Sequence, residues 1–145
     1  IRDKDLIIQK LDLIHETVEV KMKYIKVYVL CGFDRAGKWG NGFWYQDIQD
    51  TLERVKILMR FGCFPYIMRY EKCWTSPYLG MYIVISRWCN QPAQFKKKSL
   101  REFCNLQGGS SKRYLDEFEK EYPQISGYLD LKYDEVAADG ALYKG

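Results

Sequence analysis

Tyr24-Ile25-Lys26-Val27-Tyr28-Val29-Leu30 is an alternating apolar stretch that runs directly into Cys31-Gly32-Phe33-Asp34. Alternation at a period of two marks a strand, and Lys26 indicates that one end or face reaches water. After a Gly- and Trp-rich loop, Ile48, Leu52, Val55 and Met59 recur at helical spacing in the run from Asp47 to Phe61, which Gly62 ends. Phe64-Pro65-Tyr66-Ile67-Met68-Arg69-Tyr70 then reads as a second strand. This order predicts a parallel pair, because parallel strands need a crossover and the helix supplies it. In such sheets the carboxyl ends of the strands usually face the ligand. Attention therefore falls on two short places, Cys31 to Asp34 and Arg69 to Cys73.

Working outward, residues 3–20 read as a helix with Leu6, Ile7, Leu11, Ile14 and Val18 on one stripe and Asp3 or Asp5 as its cap. The glycines at 37, 40 and 42 disfavour a helix across 35–46. Met81-Tyr82-Ile83-Val84-Ile85 has strand propensity, yet the wider window from Pro77 to Cys89 suits a buried helix. Periodicity does not separate the two in so short a run. Ser99 with Glu102 three residues on predicts a capped helix over 99–105. Gly108-Gly109-Ser110-Ser111 reads as a flexible break before a last helix, Lys112 to Glu121, which stops ahead of Pro123. Beyond Tyr133 the composition is turn-like and predicts fraying.

The 145 residues suit one domain, with 112–145 as a C-terminal helix and tail packed on the body formed by 1–111. Residues 112–145 carry a net charge of −3 and the first 111 carry +7. That mild basicity fits packing against an acidic tail better than a phosphate-binding role. No apolar stretch approaches the ~20 residues that cross a bilayer, and the charged N-terminus is no signal peptide. The chain opens on Ile1 rather than Met, as an excised piece of a longer protein would. Its five cysteines are odd in number and at least ten residues apart. That excludes a zinc ribbon or iron–sulfur loop, and it predicts free thiols and a cytoplasmic setting.

Individual constellations are weak. Cys31 stands where a reactive thiolate could work, but base rates favour a buried structural thiol. His15, the sole histidine, reads as helix surface rather than as half of a Ser–His or Cys–His pair. Lys38 is followed by Trp39 rather than Ser or Thr, so the glycines around it are not a phosphate loop. Lys96-Lys97-Lys98, with Arg101 and with Phe95 to stack on a base, could touch nucleic acid, although a short Lys run is ordinarily a solvated helix start. Arg87-Trp88 could be a cation–π or carboxylate site, against the commoner packing at a core edge. Trp39, Trp44 and Tyr45 would form a partner-binding patch if exposed, or cap the core if folded back.

The ordered set Val27-Tyr28-Val29-Leu30-Cys31-Gly32-Phe33-Asp34, Arg54-Val55-Lys56-Ile57-Leu58 with Gly62, and Phe64-Pro65-Tyr66-Ile67-Met68-Arg69-Tyr70 resembles part of the radical S-adenosylmethionine superfamily. The similarity is to small members associated with phages and mobile elements. Ser86-Arg87-Trp88-Cys89-Asn90 is similar to their Arg-Trp-x-Asn, and Phe95, the Lys run and Phe103-Cys104 extend the likeness to roughly residues 20–105. The resemblance implies that 1–111 holds the later strands of a partial (β/α) barrel whose front half is absent. It implies S-adenosylmethionine and a [4Fe–4S] cluster in the parent protein, but the cluster-binding Cys-x3-Cys-x2-Cys is not in this chain. Cofactor contacts of the fifth and sixth strands would map to Leu30, Cys31, Gly32, Arg69 and Tyr70. The insertion at 35–46 departs from the family's shorter acidic turn, so no adenosine contact is assigned to Phe33 or Asp34.

The expected fold is α/β, a partial (β/α) barrel or small open parallel sheet with flanking helices. The expected function is that of a C-terminal fragment of a radical S-adenosylmethionine enzyme, inactive alone and without a catalytic or metal-binding residue of its own. The alternative is a non-enzymatic module that binds protein or nucleic acid through the aromatic loop and basic surface. An open strand edge predicts a covering partner, either the missing N-terminal half or a second copy of the chain. No membrane association is expected.

Overall fold

In the computed structural model, which describes residues 4–17, 25–40 and 42–137, β1 (Lys26–Cys31) and β2 (Phe64–Arg69) pair in parallel. The register sets Lys26 beside Phe64 and Cys31 beside Arg69. Among the described residues the sheet has these two strands and stays open rather than closing into a barrel. The crossover is α2 (Phe43–Phe61), which starts four residues before the expected Asp47. Gly42, at φ 88°, turns the chain into this helix, and Phe43, Trp44 and Tyr45 therefore belong to its first turn. Gly62 ends α2 with its N–H on the last carbonyls, as its position after Phe61 predicts.

Ahead of the sheet lies α1 (Lys4–Thr17). Its inward stripe is Ile7, Ile8, Leu11 and Ile14, while Leu6 stays exposed. The side chain of His15 and the expected Asp3 and Val18 positions lie outside the described residues. After β2, a 3-10 turn (Glu71–Thr75) leads into α3 (Leu79–Cys89), so the contested window is helix. Its burial explains why periodicity was silent: Met81, Tyr82, Val84, Ile85, Ser86, Trp88 and Cys89 are all buried, leaving no polar stripe to read. The helix lies against β2 on one side and α6 (Gly109–Glu121) on another. Fully burying each large apolar side chain of this kind contributes about 1.5–3 kcal/mol.

Two short helices complete the body, α4 (Pro92–Lys97) and α5 (Leu100–Gln107). The Lys run therefore closes α4 instead of opening a helix. Ser99 and Glu102 form the expected reciprocal capping box at the start of α5. The expected break at 108–111 is confined to Gly108, because α6 already begins at Gly109. A further short helix, α7 (Ser126–Leu129), follows. The fraying expected beyond Tyr133 does not set in at once: residues 133–137 are helical, with the Val136 N–H on the Lys132 carbonyl. Tyr133 is buried, stacks on Phe64 at 4.6 Å and donates its hydroxyl to the Gly62 carbonyl.

Candidate functional site at the carboxyl end of the sheet

Strand geometry gives the two faces of the sheet different fates. Val27, Val29, Cys31, Pro65 and Ile67 turn toward the helices and are buried or half-buried. The opposite face carries Tyr28, Leu30, Tyr66 and Met68, which are 68, 44, 38 and 47 % exposed. Tyr28 and Tyr66 meet edge to face at 5.5 Å, and Lys26 lies over the Tyr66 ring. Parallel sheets normally have both faces covered, so a bare apolar face is unusual.

The two outer edges also differ. On β2, the Asn90 carboxamide acts as a substitute strand: its Oδ1 accepts from the Ile67 N–H at 2.7 Å and its Nδ2 donates to the Ile67 carbonyl at 3.2 Å. Pro65, on the same edge, has no N–H to leave unpaired. On β1, the Ile25 and Cys31 carbonyls accept from Phe64 and Tyr70, so Lys26, Tyr28 and Leu30 point their backbone groups outward. Arg54 donates to the Leu30 carbonyl at 3.2 Å. A cavity of about 730 Å³ runs along this edge between α1 and α2. Ile7, Lys10, Phe33, Asp47, Asp50 and Arg54 are among its lining residues.

At the carboxyl end of β1 the chain turns at Gly32, where φ is +78°. Asp47, one turn into α2, accepts both the Gly32 N–H and the Tyr82 hydroxyl on Oδ2, each at 2.7 Å. Desolvation raises the Asp47 carboxyl above its usual range, against the pull of these two bonds and of Arg54. The same burial, with Asp47 beside it, pushes the Tyr82 phenol up. Trp39 donates its indole N–H to the Gly32 carbonyl at 3.0 Å, stacks on Tyr70 and lies beneath Lys72. Phe33 meets Tyr70 edge to face at 5.1 Å. The loop between is ordered by Asp34, whose carboxylate accepts the Lys38 N–H at 2.7 Å.

Of the five expected cofactor-contact residues, Leu30, Arg69 and Tyr70 offer surface. Leu30 and Arg69 are exposed and Tyr70 is half-buried among rings. Cys31 turns inward, and both backbone groups of Gly32 are engaged. The expected partner patch is divided. Trp44 is 6 % exposed and packs on Tyr82, and Tyr45 stacks on Tyr122 at 4.1 Å. Trp39 and Tyr45 are both half-buried, and Trp39 packs on Tyr70 at the strand ends. Phe95 is fully buried between Phe64, Trp88 and Tyr133, so it cannot stack on a base. Trp88 is core, with its indole N–H on the Lys98 carbonyl, while Arg87 points to solvent.

Sequence reasoning missed Asp47, Tyr82 and Asn90. The one local signal was Asp47 itself, a poor helix former within an apolar-patterned helix. Among the described residues no three Cys, His, Asp or Glu side chains gather to hold a metal ion, so an iron–sulfur cluster does not fit here. No helix among them is long and apolar enough to cross a membrane. No protein-family model, curated protein or solved structure matches the chain.

Proposed function

We propose that these residues are the C-terminal strands of a larger parallel α/β protein of the radical S-adenosylmethionine type, in which they supply wall and strand-end contacts. The observation that carries this reading is the asymmetry of the sheet. Among the described residues Asn90 closes the outer edge of β2, no strand pairs with the outer edge of β1, and one face leaves Tyr28, Leu30, Tyr66 and Met68 exposed. An isolated strand pair is marginal in water, and an open edge invites another strand. Growth of the sheet is therefore directed to the β1 side, where a preceding strand would lie.

In this reading the cluster ligands lie in a part of the parent protein outside these 145 residues, and the chain alone is inactive. Leu30, Arg69 and Tyr70 are the side chains assigned to the cofactor in this proposal, and their accessibility at the strand ends supports that role. The cytoplasmic setting is part of the proposal and is supported by the odd number and wide spacing of the five cysteines in the sequence. A non-enzymatic binding module built on the aromatic loop has less behind it, because Trp44 and Tyr45 pack inward.

The test is anaerobic reconstitution of the complete reading frame with iron and sulfide, followed by equilibrium dialysis with labelled S-adenosylmethionine. The whole protein is expected to show the visible absorption of thiolate-ligated iron and to retain the cofactor. These 145 residues alone are expected to do neither. A complete product that takes up neither iron nor cofactor overturns the proposal.

A further inference from the structure

Two of the five cysteines meet at the site. Cys31 ends β1, and Cys73 is the one inward residue of the exposed turn Glu71–Thr75; each is 1 % exposed. The Cys73 thiol donates to the Cys31 carbonyl at 3.6 Å, and the Cys31 thiol donates to the Met68 carbonyl at 3.7 Å. Gly32 makes the approach feasible: a Cβ there would lie 2.2 Å from the Cys73 sulfur. The two sulfurs therefore crowd one peptide unit, although 41 residues lie between them in the sequence.

We infer that Cys31 and Cys73 are a redox-active dithiol that a low-molecular-weight disulfide, such as glutathione disulfide, converts to an intramolecular disulfide. The inference stands apart from the radical-enzyme reading, since it uses no cluster and no missing chain. Cys73 is the attacking thiol. Its turn is short, with Glu71, Lys72, Trp74 and Thr75 exposed, so local opening admits a small oxidant. The neighbouring Cys31 thiol holds Cys73 below the usual thiol range by hydrogen bonding, with help from Arg69, while Cys31 itself is pushed up.

The electrons balance in two exchanges. The Cys73 thiolate attacks one sulfur of the small disulfide, forming a mixed disulfide and releasing one small thiolate. The Cys31 thiolate then attacks the Cys73 sulfur, forming the Cys31–Cys73 bond and releasing the second. Two protein thiols lose two electrons, the small disulfide gains them, and the two protons end on the small thiols. The product ties the end of β1 to the turn after β2, beside the Gly32–Asp47 bond.

The test incubates the full chain with glutathione disulfide, alkylates what remains free and maps the linked peptides by mass spectrometry. The expected product is lighter by two hydrogens, linked 31 to 73, and restored by dithiothreitol. Cys31→Ser should stop at a stable glutathione adduct on Cys73. A link between other cysteines, a persistent adduct on the unaltered chain, or no reaction overturns the inference. The mapping uses the unaltered chain, so a variant that fails to fold leaves the test intact.

Discussion

Replacing Gly32 by alanine separates two costs that the site combines. The backbone at Gly32 has φ +78°, and a left-handed conformation costs a residue with a Cβ about 1–2 kcal/mol. The new methyl would also stand 2.2 Å from the Cys73 sulfur. Overpacking of this kind costs about 1–3 kcal/mol. Gly32→Ala should therefore destabilise by about 2–5 kcal/mol in total. Gly42→Ala is the control, because its φ is +88° and a Cβ there meets nothing within 4 Å. It should lose only the backbone part, about 1–2 kcal/mol. The assay is urea unfolding followed by circular dichroism, with each variant compared at a common slope. Adding Cys73→Ala to Gly32→Ala should recover about 1–3 kcal/mol through removal of the clashing atom. Equal losses at Gly32 and Gly42, or no recovery in the double variant, would refute the close approach of residue 73 to the β1 end.

Two further outcomes follow from the charged groups. Asp47 titrates above the ordinary carboxylate range, so the native state holds its proton longer than the unfolded chain does. Stability from this group therefore falls as pH rises from the unfolded carboxylate value through the native one. Tyr82→Phe removes a bond to the charged form, so it should raise the midpoint further and cost about 1–3 kcal/mol; carbon-detected NMR of the side chain reads the shift, and an unmoved midpoint contradicts the pairing. Glu119 is the opposite case: the Arg101 guanidinium, bonded through two nitrogens, and the Ser126 hydroxyl hold it down to about 2. Its contribution is present above the ordinary carboxylate range and is lost as pH falls through about 2. The melting-temperature gap between the native chain and Arg101→Met should shrink over that interval, and a gap independent of pH would count against the bidentate pair.

The strands and the crossover helix were legible because polar residues interrupt each apolar pattern at its own period: Lys26 in β1, and Gln49, Glu53 and Lys56 along α2. That face of α2 is only half-exposed, because Lys4 and Tyr128 pack on it. The α5 cap was legible because Ser99 and Glu102 act over three residues, entirely within local sequence. What escaped was decided by neighbours far along the chain. The α3 segment is apolar even on its less buried face, where Leu79, Gly80 and Ile83 precede the exposed Arg87. No polar stripe therefore marks it, and its helical state is fixed by packing on β2 and α6. Phe43, Trp44 and Tyr45 read as loop because the glycines at 37, 40 and 42 disfavour a helix across 35–46, yet Tyr82 and Tyr122 receive two of the rings and the helix starts at Phe43. At the site, Cys31 and Gly32 were singled out as strand-end positions. Asp47 and Tyr82 could not be joined to them, since a hydrogen bond across 35 residues leaves no trace in spacing. Asn90 belonged to a segment whose likeness to a family was noted, but its role in ending the sheet depends on a strand 23 residues away.

The parallel register has a consequence for the chain as it is made. Lys26 meets Phe64 only after the whole of α2 has been synthesised and has turned back, whereas α5 and α6 can form from nearby residues. Closing so long a loop is entropically costly before any strand contact repays it. A nascent β1 must therefore wait, with both edges unpaired and Tyr28 and Leu30 in water, until Arg69 has left the ribosome. During that interval the same alternating stretch that specifies the sheet is the segment most exposed to pairing with another unfinished copy of itself, and it is where a chaperone would have most to shield.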